Sequence, residues 1–276
     1  MVKSRRALRR SARPPVARSR GPVPKTPGEI DAMAASGALL AACHDAMQRE
    51  VAEGVSTGEL DARAEQFIRG GGGIPAFKGF NGFPGSTCPS VNTQVVHAIP
   101  GPYRLAAGDI LSLDMGVVLD GWVSDAARTH AVGVVSVEAQ RLMTVTEESL
   151  VKGIAACRAG NHVGDIGHAV QTEVEAAGFS VIQTLVGHGI GRSMHEEPQV
   201  PNFGRPGQGV ALVEGMVIAI EPMVNAGGPE VVLDEDGWTI TTKDGSLSAH
   251  FEHTVAITSD GPRVLTASAL GSAITP

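Results

Sequence analysis

Four carboxylates stand in strand-like surroundings where apolar or neutral residues are the rule: Asp114 and Asp125 in DILSLDMGVVLDGWVSDAARTHAV, Glu221 in GMVIAIEPMV, and Glu252 in SAHFEHTVAIT. A glycine-rich stretch, VGHGIGRSMHEEPQV (186–200), adds His188 and His195. Burying bare carboxylates together is unfavourable, because desolvation and mutual repulsion both oppose ionisation. Something positive is therefore required beside them. Oxygen-rich donors with one imidazole suit a divalent first-row metal such as Mn, Fe, Co or Zn better than a thiolate zinc site. Bridging carboxylates would suit two such ions, able together to polarise a carbonyl and generate hydroxide near neutral pH. That chemistry is hydrolytic.

The spacing of the two aspartates supports a shared site. Asp120-Gly121 is a two-residue hairpin signal between two strand-like runs. With that turn, residue i faces residue 241 minus i, so Asp114 lies opposite Ala127. Asp125 has the parity of Ala127, so both carboxylates project from one face as a diagonal pair with backbones roughly 7–8 Å apart.

The elements that carry these residues are repeated. GVSTGELDARAEQFIRGGG (54–72) aligns with GNHVGDIGHAVQTEVEAAG (160–178) at an offset of 106, each a glycine-acid opening into a helix closed by glycine. GDILSLD (108–114) then matches GMVIAIE (215–221), which makes Asp114 and Glu221 counterparts. VVHAIP (95–100) echoes VGHGIG (186–191). An earlier helix is expected from Thr26, with Pro27 in its first turn and Glu29 at the capping-box position. The pattern predicts an α+β fold of two pseudo-symmetric halves around a central site.

Composition sets the outer bounds. With 276 residues, 42% hydrophobic, the chain can bury a substantial core. No apolar run reaches the roughly 18 residues of a membrane helix, and the first twenty residues lack the apolar segment of a secretory signal. Cys43, Cys88 and Cys157 form neither a CxxC spacing nor an even set, which suits a reducing cytoplasm. Residues 1–25 hold 9 of the 22 basic residues and none of the 29 acidic ones. Residues 1–24 are expected to form a basic, disordered arm, either a solvated tail or a contact with anionic RNA or a ribosome surface. The folded domain is expected from residue 25 to 276.

Taken together, KTPGEIDAM, GVSTGELD, HAIP, LDMGVVLDGWVSD, GHGIGRSMHEEPQV, IEPMVNAG and DGWTITTKDGSLSAHFEHT closely resemble the type I methionine aminopeptidases, metallopeptidases of the pita-bread fold. The matching stretches run from about Lys25 to Leu265. The resemblance implies a central antiparallel sheet flanked by helices, and a monomeric cytoplasmic enzyme. It implies removal of the initiator methionine from methionyl peptides and nascent chains whose second residue is small. It also implies two divalent ions, with Asp125 and Glu252 bridging them, Asp114 chelating one, and His188 with Glu221 on the other.

In the same scheme Glu221 also shuttles a proton, His195 steadies the tetrahedral intermediate or orients the scissile carbonyl, and His97 contacts the peptide backbone. A methionine pocket is implied from Phe77, Phe80, Phe83, Cys88, Met194 and Trp238, whose aromatic and thiol walls suit a thioether. The chain departs from the family's usual residues at Val96, Ala98, Phe80, Phe83, Met194 and Phe251, none of which is an implied ligand. Two other readings are a prolidase or Xaa-Pro aminopeptidase of the same fold, whose additional N-terminal domain a basic stretch of 25 residues is not expected to supply, and a non-catalytic binding module, which would typically lose ligands that this chain keeps.

Overall fold

The structure, a computed structural model, describes residues 21–268. The basic arm expected at 1–24 lies outside the described residues except for its last four. The first half opens with helix α1 (Pro27–Glu50), started by the expected capping box: the Thr26 hydroxyl accepts the Glu29 N–H, and the Glu29 carboxylate accepts the Thr26 N–H. Helix α2 (Thr57–Gly70) follows, then strands β1 (Ile74–Pro75), β2 (Thr87–Val91), β3 (Gln94–Val96), β4 (Ile110–Leu119) and β5 (Trp122–Ala131). The second half runs through α3 (Val137–Ala156) and α4 (Val163–Ala176) to the short strands β6 (Ser180–Val181), β7 (Gly187–Gly189) and β8 (Glu196–Val200). It continues with β9 (Val217–Ile220), β10 (Met223–Asn225), β11 (Val231–Leu233), β12 (Ile240–Thr242), β13 (Ser248–His250), β14 (Glu252–Thr258) and β15 (Gly261–Val264).

The main sheet is antiparallel and ordered β1-β4-β5-β14-β9-β7-β8, with β2 also on β4 and β15 on β14. Its two halves meet where β5 pairs β14. Leu113, Met115 and Val117 of β4 pack with Leu40, Cys43 and Ile68 of α1 and α2, while Ile218 and Ile220 of β9 pack with Leu142, Ile154 and Ile166 of α3 and α4. Alternation along β4 therefore turns Asp114 away from the helices. No described helix is long and apolar enough to cross a membrane.

The repeat predicted from sequence is structural. α2 and α4 begin and end at positions 106 apart, and the bridge between Ser56 and Arg104 has its counterpart between His162 and Ala211. The Gly54 N–H bonds the Leu105 carbonyl as Gly160 bonds Leu212, and Gly58 bonds Gly101 as Gly164 bonds Gln208. One expected echo has no structural counterpart. His97 lies just beyond β3, which pairs β12 in a separate small sheet, whereas His188 lies on β7 in the main sheet. A strand of three residues carries too little pattern to reveal its partner.

Close approach explains a glycine in this repeat. A Cβ at Gly164 would lie 2.4 Å from the Arg205 carbonyl oxygen and 2.6 Å from that of Gln208, both backbone atoms. At Gly70, the last residue of α2, nothing lies within 4 Å, and its counterpart in α4 is already Ala176. Gly164→Ala should cost about 1–3 kcal/mol in a denaturant melt, as overpacking does, and Gly70→Ala should be neutral or stabilising by up to about 1 kcal/mol. Equal midpoints for the two variants would contradict this packing.

Candidate metal centre

The β4–β5 hairpin holds the register expected of it. Ten pairs run from Ile110 opposite Ala131 to Leu119 opposite Trp122, with Asp114 opposite Ala127 and Gly116 opposite Asp125. Asp120 (φ 51°) and Gly121 (φ 76°) both take the positive φ that a tight hairpin turn of this kind demands. The backbone of Asp125 is clamped from the other half: its N–H donates to the Thr254 hydroxyl at 3.0 Å, and that hydroxyl donates back to the Asp125 carbonyl at 2.8 Å. Glu252, two residues before Thr254, pairs with Ala127. The junction of the halves thus brings Asp114, Asp125 and Glu252 to one wall, and Glu221 follows directly after β9, the next strand over.

These groups line one cavity of about 400 Å³. Asp114, Asp125 and Glu252 are buried, and Oδ1 of each aspartate and Oε1 of Glu252 have no hydrogen-bond partner. Among the described residues no lysine or arginine forms an ion pair with any of the four carboxylates; their nearest cationic candidates are imidazoles, His188 and His250. Burial drives the Asp114 carboxyl up to about 8. Burial first, and repulsion from neighbouring carboxylates second, lifts Asp125, Glu221 and Glu252 well above the usual carboxylate range. A neutral cluster of carboxylic acids forfeits its donors, and an ionised one needs cations; the donor set fits divalent metal.

His188 is prepared to join it. Its Nδ1 lies 2.9 Å from the Gly189 carbonyl, which can only accept, so the proton sits on Nδ1 and Nε2 presents a lone pair. Nε2 lies 3.6 Å from Glu221 Oε1 and 3.9 Å from Asp125 Oδ2. Burial pulls its pKa down to about 4, so the ring is neutral near pH 7 as a ligand must be. Donor atoms of Asp125, His188 and Glu252 all lie within 4.8 Å of one another. The glycines beside His188 leave room: a Cβ on Gly187 would lie 2.4 Å from the Ala219 carbonyl oxygen, and one on Gly189 would lie 2.2 Å from that of Glu197.

The other expected residues surround this cluster. His195 packs with a tilted ring 4.3 Å, centroid to centroid, from His188 and 5.5 Å from Phe80, and it is open to solvent at the cavity wall. His97, at a positive φ of 60°, lines the same cavity and is also exposed. Phe77, Phe80, Phe83, Cys88, Met194 and Trp238 all line it too. Phe83 meets Trp238 edge-on at 5.1 Å, and Cys88 is registered opposite Asp114. Gly116 lets this wall close in, since a Cβ there would lie 2.9 Å from Phe77 and 3.0 Å from Met194.

Sequence reasoning missed His250. It is buried at 2% exposure, both ring nitrogens lack partners, and Nε2 lies 3.9 Å from Glu252 Oε2. Burial, with His97 nearby, holds its pKa down to about 3. The available signal was its position two residues before Glu252, on the same side of an extended segment.

With the geometry in hand, three comparisons bear on the chain. A methionine aminopeptidase of Clostridium perfringens is 53% identical over 242 residues, covering 88% of this chain and 97% of that protein. The crystal structure of methionine aminopeptidase from Rickettsia prowazekii superposes with a TM-score of 0.88 at 42% identity, covering 89% of this chain and all of that one. A prolidase from Pyrococcus furiosus shares the fold alone, with a TM-score of 0.71 at 21% identity, and only 65% of its length is covered. The model of metallopeptidase family M24 matches residues 31–259, which hold all five expected ligands, and the chain belongs to that family.

Proposed function

We propose that the protein is a methionine aminopeptidase: a metal-dependent hydrolase that removes the initiator methionine from chains whose second residue is small. The observation that carries this is the buried carboxylate wall beside His188, opening onto an aromatic and thioether-lined cavity, in a chain 53% identical to a methionine aminopeptidase. Asp114, Asp125, His188, Glu221 and Glu252 are assigned as the residues that would hold two divalent ions. The orphaned oxygens of Asp114, Asp125 and Glu252 and the neutral His188 ring support this. When bound, two divalent ions supply Lewis-acid polarisation of the scissile carbonyl and a water nucleophilic near neutral pH.

The chain's own groups do the rest. Glu221, ionised once cations are present, takes the proton from the attacking water and passes it to the departing amine. His195 and His97, exposed at the cavity wall, orient the substrate carbonyl and backbone. Phe77, Phe80, Phe83, Cys88, Met194 and Trp238 enclose the methionine side chain and exclude water from it. A prolidase reading has weaker support, since the likeness there extends to fold alone. A non-catalytic module would have no use for four carboxylates held together at this cost. The same reading makes the enzyme a cytoplasmic monomer acting on nascent chains, with basic residues 1–24 available to an anionic surface such as ribosomal RNA. Lys25, whose N–H bonds the Gly215 carbonyl at 2.7 Å, supports a domain boundary there.

Chelator-treated protein given Mn(II) or Co(II) should release methionine from Met-Ala-Ser and leave Ala-Pro-Ala intact. Glu221→Ala should lower turnover by more than about 100-fold. Release without any divalent metal, or full activity in that variant, would contradict the assignment.

Stability should report the same cluster. A carboxyl whose folded pKa is raised, such as Asp114 from an ordinary 3.8 to about 8, contributes stability that is complete below the unfolded value and lost as pH rises through the folded one. The buried His188 behaves oppositely: its contribution is complete above 6.5 and is lost as pH falls toward about 4. Between pH 6.5 and 8 the carboxyls alone govern the trend, so the metal-free protein should melt at progressively lower temperature. Excess Mn(II) should flatten that slope; an unchanged slope would contradict it.

A further inference from the structure

His195 reaches the site from a turn of six residues, Ile190–His195, between β7 and β8. Among the described residues no side-chain hydrogen bond fixes its ring, which rests on His188 and Phe80 by packing alone. Its placement therefore depends on the backbone of its turn. The start of that turn is tied to β9 and β5, by the Ile190 N–H on the Val217 carbonyl and the Val123 N–H on the Gly191 carbonyl, and the stretch leading to His195 is gathered by a carboxylate: Glu196 Oε1 accepts the N–H of Arg192 at 2.8 Å and of Ser193 at 3.2 Å. The other oxygen, Oε2, accepts from Lys25 Nζ at 2.6 Å. This ion pair is well sheltered, with side-chain exposures of 7% for Lys25 and 21% for Glu196.

Lys25 is itself held in place. It lies just before Thr26, the cap of α1, and its backbone N–H donates to the Gly215 carbonyl at 2.7 Å in the turn that leads into β9. Two glycines give way to it. A Cβ on Gly191 would lie 2.6 Å from Glu196 Oε1 and 2.7 Å from Lys25 Cε, and one on Gly215 would lie 2.6 Å from the Lys25 carbonyl oxygen. Among the described residues no other cation pairs with Glu196. Sheltered pairs of this kind fix geometry: removing one partner frees the other to seek solvent and lets what it held move.

We infer that Lys25 is a positioning residue for the reaction, acting through Glu196 to set the turn that presents His195 and Met194 to the substrate. The inference rests on the role proposed for His195. It predicts a catalytic defect from a residue that touches neither metal ligands nor substrate, since small misplacements at a reacting centre cost large factors in rate.

The test uses the full chain loaded with Mn(II), with Lys25→Met, Lys25→Arg, His195→Ala and the Lys25→Met/His195→Ala pair assayed on Met-Ala-Ser. Lys25→Met should lower kcat roughly 10- to 100-fold at undiminished metal content, and Lys25→Arg should recover most of it. Adding Lys25→Met to His195→Ala should produce little further loss, because the lysine acts through the histidine. Where Lys25→Met does not fold, Glu196→Gln, which keeps the two N–H contacts and loses the ion pair, replaces it in the same cycle. Unchanged kcat, a full multiplicative loss in the His195→Ala background, or a loss matching the unfolded fraction would each overturn the role of Lys25 alone. Full activity in His195→Ala would overturn the reading of His195 and, with it, this one.

Discussion

Four carboxylates share a buried wall that offers them no lysine or arginine among the described residues, and that electrostatic demand organises the molecule. Asp114, Asp125, Glu221 and Glu252 cannot all ionise in such a place without cations, and as neutral acids they would be poor donors. The Met115 and Ala126 N–H groups offset only part of this for the two aspartates. The aspartates and Glu252 each leave an oxygen without a partner, and both imidazoles within reach, His188 and His250, are held neutral by burial. Divalent ions resolve the conflict, and the reaction draws on the same charge.

The fold supplies the convergence. Each half contributes a helix pair on one side of a shared sheet and turns carboxylates to the other side. The halves join at β5 and β14, where the Thr254 hydroxyl clamps the Asp125 backbone in both directions. A ligand set drawn from both halves is rigid only if that seam is rigid. The aromatic wall and the His195 turn are added around this frame, and the lysine preceding α1 reaches the turn through Glu196.

Much of this was legible in the sequence because it was carried by strong local codes. Asp120-Gly121 dictates the hairpin, and the hairpin dictates that Asp114 and Asp125 share a face. The repeated glycine-acid openings set α2 and α4 at matching positions. The limits were equally physical. VVHAIP and VGHGIG look alike, yet β3 and β7 are three-residue strands whose partners are chosen by tertiary packing. His250 escaped notice because a histidine two residues from a ligand has no signature until its missing hydrogen bonds are seen. The pair between Lys25 and Glu196 joins residues 171 positions apart, beyond the reach of any local pattern.

Proton release on metal binding tests the central claim most directly, since carboxyls kept neutral by burial must lose their protons when an ion arrives. Calorimetric titration of metal-free protein with Mn(II) at pH 7, in two buffers of different ionisation enthalpy, counts those protons. Release of at least one proton per ion, reduced in Asp114→Asn, is the predicted result. Tight binding with no proton release, or the absence of Mn(II) binding at this site, would contradict it.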